Sequence, residues 1–252
     1  MKVVVCVKQI PDPATPYQLE EATNWLVRPG EQVLDDTDRY GVEMGLQIAQ
    51  ENEGTVTLVS MGPTGNAQGI RQALAMGADK AILIDDQSLR GSDALTTARV
   101  LAAAIEEEGF DLVIAGTEST DGYSGVIPQM LAELLGTAAL TYATRVETDG
   151  TTVTIHRQTA TGYDVVTSSL PAVVAVTAGV VEPRYPTFKG IMDAKKKPVE
   201  NRTLADLGVE PSDGQEVPSI TDAPERAAGR KIEDDGEAFK EIISLLTKRK
   251  VI

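Results

Sequence analysis

The chain has 252 residues, 42% of them hydrophobic, and a formal net charge of -15. That is enough apolar material for one large core, and the acidic balance makes nucleic acid and anionic membrane surfaces poor partners. Cys6 is the only cysteine, so no internal disulfide forms, and no apolar stretch approaches membrane-spanning length. The N-terminal run MKVVVCVKQI is too short and too β-branched for a secretory signal. A cytoplasmic location follows as an expectation.

Residues 2–7, KVVVCV, form a continuous β-branched run of the kind buried on both faces in a parallel sheet. Residues 11–34 carry Pro11, Pro13, Pro16, Pro29 and Gly30 and read as a long loop. A helix is expected from Thr37 or Asp38, either of which suits the cap, with Val42, Leu46 and Ala49 facing inward. Thr55–Met61 reads as the second strand and ends at Gly62-Pro63. A helix with Ile70, Ala73 and Leu74 inward stops at Gly77. Residues 81–84 form a third strand. Ser92 is placed as the cap of a helix that buries Leu95, Ala98, Leu101, Ala102 and Ile105. Residues 111–115 form a fourth strand, ended by Gly116.

Strands and helices thus alternate, which predicts a doubly wound, mostly parallel α/β sheet of Rossmann-like, nucleotide-binding type. After Gly136 the rhythm changes. Residues 139–146, 151–157, 163–168 and 172–177 read as strands separated by short turns, with Asp149-Gly150 as a hairpin signal, so antiparallel strands are added to the sheet. Beyond Pro198 the periodicity fades, and residues 208–236 read as an extended polar arm. A terminal helix over 237–248 offers Phe239, Ile242, Ile243, Leu245 and Leu246 and needs a surface to dock on. Residues 1–198 are expected to form the α/β domain and residues 199–252 the arm and helix.

Ligands of such sheets bind beyond the carboxyl ends of the strands. The loop from Gly116 to Pro128, GTESTDGYSGVIP, is the leading candidate. Gly116, Gly122 and Gly125 permit close backbone approach, and Pro128 suits the first turn of the next helix. That helix starts near Val126, with Ile127, Leu131, Leu134 and Leu135 facing inward. Its free N–H groups beside Ser124 offer an anion site suited to a phosphate. Asp121 either orients the loop or accepts from a ribose hydroxyl. A purely structural turn is the competing reading. Neither a GxGxxG fingerprint nor a GxxxxGK[ST] loop is present.

His156, the only histidine, reads as part of a solvated strand face. Cys6 reads as a small core residue or a pocket liner, with no base to make it a nucleophile. No catalytic acid, base or nucleophile is assigned, and no metal site. Residues 182–198, EPRYPTFKGIMDAKKKP, combine an apolar anchor, Phe188, with a short amphipathic run over 191–194 and a basic cluster over 195–197. An anchor with lysines behind it suits docking, with burial supplying affinity and charge steering the encounter. The bland alternative is a surface loop with a solvated charge run.

The segments VVVCVKQIPD, DRYGVEMGLQIA, VSMGP, IRQALAMGADKAILI, DLVIAGTESTDGYSG, LPAVVAVT and EPRYPTFKGIMDAKKKP span nearly the whole chain. On them the chain resembles the beta subunits of electron transfer flavoproteins. The resemblance implies a heterodimer with an alpha subunit, an FAD at the interface held mainly by alpha, and a structural AMP buried in this subunit. It implies single-electron transfer from flavin dehydrogenases, such as acyl-CoA dehydrogenases, toward a membrane quinone oxidoreductase, in an electron carrier and not an enzyme. The C-terminal arm is implied to wrap onto alpha.

Carried over by position, the nucleotide pocket falls on Cys6, on Asp35 and Asp38, on Val59, Ser60, Met61 and Gly62, and on Asp121, Gly122, Tyr123, Ser124, Gly125 and Val126. The dehydrogenase-recognition segment falls on Tyr185, Pro186, Thr187, Phe188, Ile191 and Met192, with Phe188 where a leucine stands in well-known members. The family's Asn-Pro-Phe is replaced by Asp35-Asp36-Thr37. Tyr123, Ser124 and Gly125 depart from the AIDGDTAQVGP loop of electron-bifurcating members, which hold a second FAD here, so AMP is expected. Pro13 stands where some members have a flavin-side tyrosine. The alternatives are a bifurcating carrier and an ATP-binding stress-type protein, in which the docking segment and arm have no role.

Overall fold

The computed structural model describes every residue except 63–65, 211, 213, 222, 226 and 227. It divides into two compact units, Met1–Pro218 and Ser219–Ile252. The first is built on strands β1 (Lys2–Cys6), β4 (Thr55–Met61), β5 (Lys80–Ile84), β6 (Leu112–Gly116), β7 (Ala138–Thr148), β8 (Thr152–Thr159), β9 (Gly162–Ser169), β10 (Ala172–Val176) and β11 (Val199–Arg202). A two-stranded ladder pairs β2 (Gln9–Ile10) with β3 (Val33–Leu34). Helices α1 (Asp36–Glu51), α2 (Gln68–Met76), α3 (Ala94–Glu108), α4 (Ile127–Leu134) and α5 (Phe188–Ala194) complete it, and α6 (Ala238–Lys248) belongs to the second unit.

The nine strands run in the order β11-β5-β4-β1-β6-β10-β7-β8-β9. All neighbours from β11 to β7 are parallel; only β7-β8 and β8-β9 are antiparallel. The expected doubly wound sheet is present, and Asp149-Gly150 does close a hairpin, with the Asp149 carboxylate accepting from Thr151 and Thr152 N–H. The 172–177 strand is not antiparallel, however. It inserts between β6 and β7, parallel to both.

Along β1, Val3 and Val5 join the core beneath α1 and α2, while Val4 and Cys6 join the core beneath α3 and α4. Helices on both faces make the strand apolar at every position rather than at alternate ones. α1 lies unusually close to the sheet. A Cβ on Gly45 would come within 2.8 Å of Val5 and 3.3 Å of Val3, so only glycine fits there.

Other local expectations are corrected. Asp35, not Thr37 or Asp38, caps α1, its Oδ1 accepting Thr37 N–H at 3.0 Å. Asp93, not Ser92, caps α3, accepting Thr96 N–H at 2.7 Å. The 11–34 segment is not wholly loop, because Val33–Leu34 pairs with Gln9–Ile10. Leu95 and Leu134 are exposed rather than inward. The chain after Pro198 first adds β11 to the sheet edge beside β5. Pro63, read as closing the second strand, lies outside the described residues. In the second unit α6 buries none of its residues, and Phe239, Ile242, Ile243 and Leu245 stand exposed. No described helix is long and apolar enough to cross a membrane.

Candidate functional site

Chain order reverses around β1, whose neighbours are β4 on one side and β6 on the other. Such a switch point opens a crevice at the carboxyl ends of the strands. A cavity of about 330 Å³ lies there, within the range of small-ligand sites. Cys6, Val59, Met61, Leu101, Ala115 and Ile127 give it apolar walls. Ser92, Thr97, Thr117, Ser119 and Ser124 bring hydroxyls, and Lys8, Asp38, Asp93 and Glu118 bring charge. The starts of α3 and α4 both border it, through Asp93, Ala94 and Ile127, with Asp93 already taking the Thr96 N–H. The cavity thus combines apolar walls with hydroxyls, charged groups and the starts of two helices.

Of the residues carried over to the nucleotide pocket, Cys6, Asp38, Val59, Met61, Gly122 and Ser124 line this cavity. Others do not reach it. Both carboxylate oxygens of Asp35 are engaged within the chain, one by Thr37 and the other by Thr120 N–H at 2.7 Å and Thr120 Oγ1 at 3.1 Å. Asp35 therefore ties the glycine loop to the start of α1. Ser60 is buried, and Gly62 borders a neighbouring cavity. Tyr123 is exposed with φ +48°, while Gly125, at φ +63°, and Val126 shape the turn into α4. Asp121 accepts from Lys8 Nζ at 2.7 Å and from Arg28 Nη2 at 2.5 Å, with no exposed side-chain surface. These pairs tie the loop to Lys8 and Arg28.

Burial and the nearby Asp38 push the Cys6 thiol up to about 12, so it stays protonated and unreactive. Asp38 is buried, and its Oδ2 accepts Lys8 N–H at 2.6 Å. Burial first, then the adjacent Asp35 carboxylate, raises its pKa well above the ordinary range. The contribution of α3 through Ser92, Asp93 and Thr97 was missed in the sequence. The usable signal was the SD pair before an apolar helix, which marks a helix N-terminus at a strand's carboxyl end.

A second cavity, of about 500 Å³, adjoins the first and shares Lys8, Met61, Ser92, Thr97 and Gln215 with it. Trp25, Arg28 and Arg90 line it, the Arg90 guanidinium lying 5.9 Å from the Trp25 ring centre. Among the described residues no cluster of three or more His, Cys, Asp or Glu is suited to a metal. His156 stacks on Tyr163, ring centres 4.4 Å apart, on the outer hairpin.

The segment with Phe188 forms a separate surface. Thr187 caps α5, its hydroxyl accepting Gly190 N–H at 3.0 Å. Tyr185 and Phe188 are 86% and 81% exposed, and Ile191 and Met192 are about half exposed beside them. Pro186 is half-buried. The basic cluster is not all solvated. Lys197 Nζ donates to Leu74 O at 3.0 Å and Ala78 O at 2.6 Å, leaving Lys195 and Lys196 on the surface.

A family model for the electron transfer flavoprotein domain matches residues 23–207. A protein of Mycobacterium bovis named electron transfer flavoprotein subunit beta is 40% identical, with 99% of each chain covered. One of the same name from Thermoanaerobacterium thermosaccharolyticum is 32% identical over the whole of both chains. The caffeyl-CoA reductase-Etf complex subunit CarD of Acetobacterium woodii is 33% identical, over 84% of this chain and 81% of that protein. The chain belongs to the electron transfer flavoprotein family, as one of its beta subunits.

Proposed function

We propose that this chain is the beta half of an electron-carrying heterodimer, with AMP in the cavity at the switch point and an FAD at the interface with an alpha subunit. The flavin, when bound, takes up and releases electrons one at a time; the protein supplies its position and surroundings. The observation that carries the reading is the cavity of about 330 Å³, whose walls and rim match a mononucleotide at the place where this fold binds ligands. Cys6, Val59 and Met61 would flank the base. Ser124 and the opening turns of α3 and α4 would hold the phosphate. Asp38, on the cavity wall, would face the nucleotide.

The exposed group of Tyr185, Phe188, Ile191 and Met192 is the docking face for a flavin dehydrogenase. Lys189, Lys195 and Lys196 make it basic within an acidic chain, which favours a partner with an acidic rim. Electrons then pass on to a membrane quinone oxidoreductase. The reading is tested by co-expression with the alpha subunit. A 1:1 complex with flavin absorbance, reducible by a dehydrogenase and its substrate, is expected. A stable chain that recruits neither alpha subunit nor flavin would overturn it.

One observation favours a second reading. The adjoining cavity of about 500 Å³, with Arg28, Arg90 and Trp25, gives a longer ligand room to continue out of the first. An FAD in this subunit, as in bifurcating carriers, would use that space.

A further inference from the structure

The docking face lies on a segment that sequence alone reads as a turn-rich surface loop, yet it is clamped at both ends by charged groups turned inward. At its start, Arg184 is held by Glu43 of α1. Arg184 Nε donates to Glu43 Oε2 at 2.7 Å, Nη2 to Oε1 at 3.0 Å, and the Arg184 backbone N–H to Oε2 at 3.2 Å. The Glu43 side chain is 4% exposed. Gln47 Nε2 adds a fourth contact at 2.8 Å. Burial alone would push this carboxyl up, but the Arg184 and Gln47 hydrogen bonds outweigh it and hold Glu43 below its ordinary value. A bidentate, largely desolvated pair fixes direction as well as distance.

At its end, α2 and α5 cap one another. Lys197 reaches the carbonyls of Leu74 and Ala78 at the close of α2, where the helix dipole favours a cation. In return Arg71, on α2, donates through Nη1 to Ala194 O at 2.5 Å and Lys197 O at 3.1 Å at the close of α5. Between the clamps, Gly190 meets Ala75 so closely that an added Cβ would stand 2.6 Å from its carbonyl oxygen. Four charged side chains and one glycine thus fix a seven-residue helix too short to be stable alone.

We infer that Glu43, Arg71, Arg184 and Lys197 are positioning residues for electron transfer: they hold the Tyr185–Met192 face in its docking shape before the partner arrives. None of them offers its charged group to the partner in this role. A preformed face loses little conformational freedom on contact, which strengthens binding without adding contacts. The inference rests on reading this face as the dehydrogenase-docking surface.

The test compares the heterodimer with Arg184→Gln, Arg184→Lys, Lys197→Met and Phe188→Ala variants, measuring amide hydrogen exchange and transfer kinetics with a dehydrogenase that reduces the wild type. Exchange at Gly190 and Ile191, whose N–H groups both bond to Thr187, is the local readout. Arg184→Gln and Lys197→Met are expected to speed it about tenfold or more while β1 and β6 amides stay protected. KM for the carrier should rise with kcat and FAD content unchanged, and Arg184→Lys should fall between. Wild-type exchange at Gly190 and Ile191 in both Arg184→Gln and Lys197→Met overturns the inference. A Phe188→Ala variant with unaltered KM instead overturns the docking reading beneath it, whatever the exchange shows. Should Lys197→Met not fold, Arg184→Gln decides alone, since its amide keeps an N–H donor for the buried Glu43 carboxylate.

Discussion

Lys8 serves two carboxylates in opposite ways: its backbone N–H donates to Asp38 at 2.6 Å, and its side chain pairs with Asp121 at 2.7 Å. Asp38 lines the cavity, and burial with the adjacent Asp35 carboxylate raises its pKa. Asp121 has two cations, Lys8 and Arg28, and gives its proton up. Burial would raise Asp121 too, but the two charges outweigh it and its pKa is lowered.

The two groups therefore pull stability in opposite directions with pH. Asp38 binds its proton more tightly folded than unfolded, so its contribution is greatest in acid and falls as pH rises from the unfolded carboxylate range through its raised folded pKa. Asp38→Asn should raise the melting temperature at pH 7 and remove that fall. Asp121 stabilises above the unfolded range, and the contribution is lost as pH drops through its lowered folded pKa. Asp121→Asn should cost about 1–3 kcal/mol at pH 7, the usual loss for a charged hydrogen bond with partners still reaching water. Urea titrations from pH 3 to 9 separate the two. Parallel curves for both variants would contradict these assignments.

Gly190→Ala places a methyl 2.6 Å from Ala75 O, so α5 must move off α2. The expected cost is about 1–3 kcal/mol, as for other overpacked contacts. Electron acceptance should fall with it. Chemical denaturation and steady-state transfer check the pair of effects; a variant with normal stability and normal KM would show that α5 tolerates displacement.

Phe188→Ala removes an 81% exposed ring and should leave the melting temperature within a degree or two, by about 0.5 kcal/mol or less. KM for the dehydrogenase should rise about tenfold or more, as for a truncated interface anchor. Loss of FAD in equal measure with loss of transfer would contradict the division between docking and cofactor binding.

Deletion of residues 219–252 removes the unit that contains α6, with its unburied Phe239, Ile242, Ile243 and Leu245. The remaining unit should fold, because the nine-stranded sheet is untouched. Association with the alpha subunit should weaken, seen as a later elution in size-exclusion chromatography at micromolar concentration. An unchanged elution volume would refute the arm's part in assembly.

The parallel core was legible because β1, β5 and β6 are buried on both faces and show apolar runs, and β4 is interrupted only by the small Thr57 and Ser60. β11, with the sequence VENR, sits at the sheet edge and carries no such run, so its pairing with β5 left no local trace. The α1 cap was misplaced because Asp35, Asp36, Thr37 and Asp38 all suit a cap. Only the fold shows that Asp38 turns into the cavity while Asp35 reaches both Thr37 and Thr120. The loop from Gly116 was found from its glycines, but the role of Asp121 depends on Lys8 and Arg28, roughly a hundred positions away in the chain. Lys197 was hidden among three adjacent lysines, since nothing local distinguishes the one that caps α2.

The most direct test is to purify the complex from its native host, denature it, and identify every released nucleotide by mass with its ratio to this chain. One FAD and one AMP per heterodimer is the expected result. Two FAD and no AMP would make the protein a bifurcating carrier with the paired cavities filled. ATP without flavin would contradict the electron-carrier account altogether.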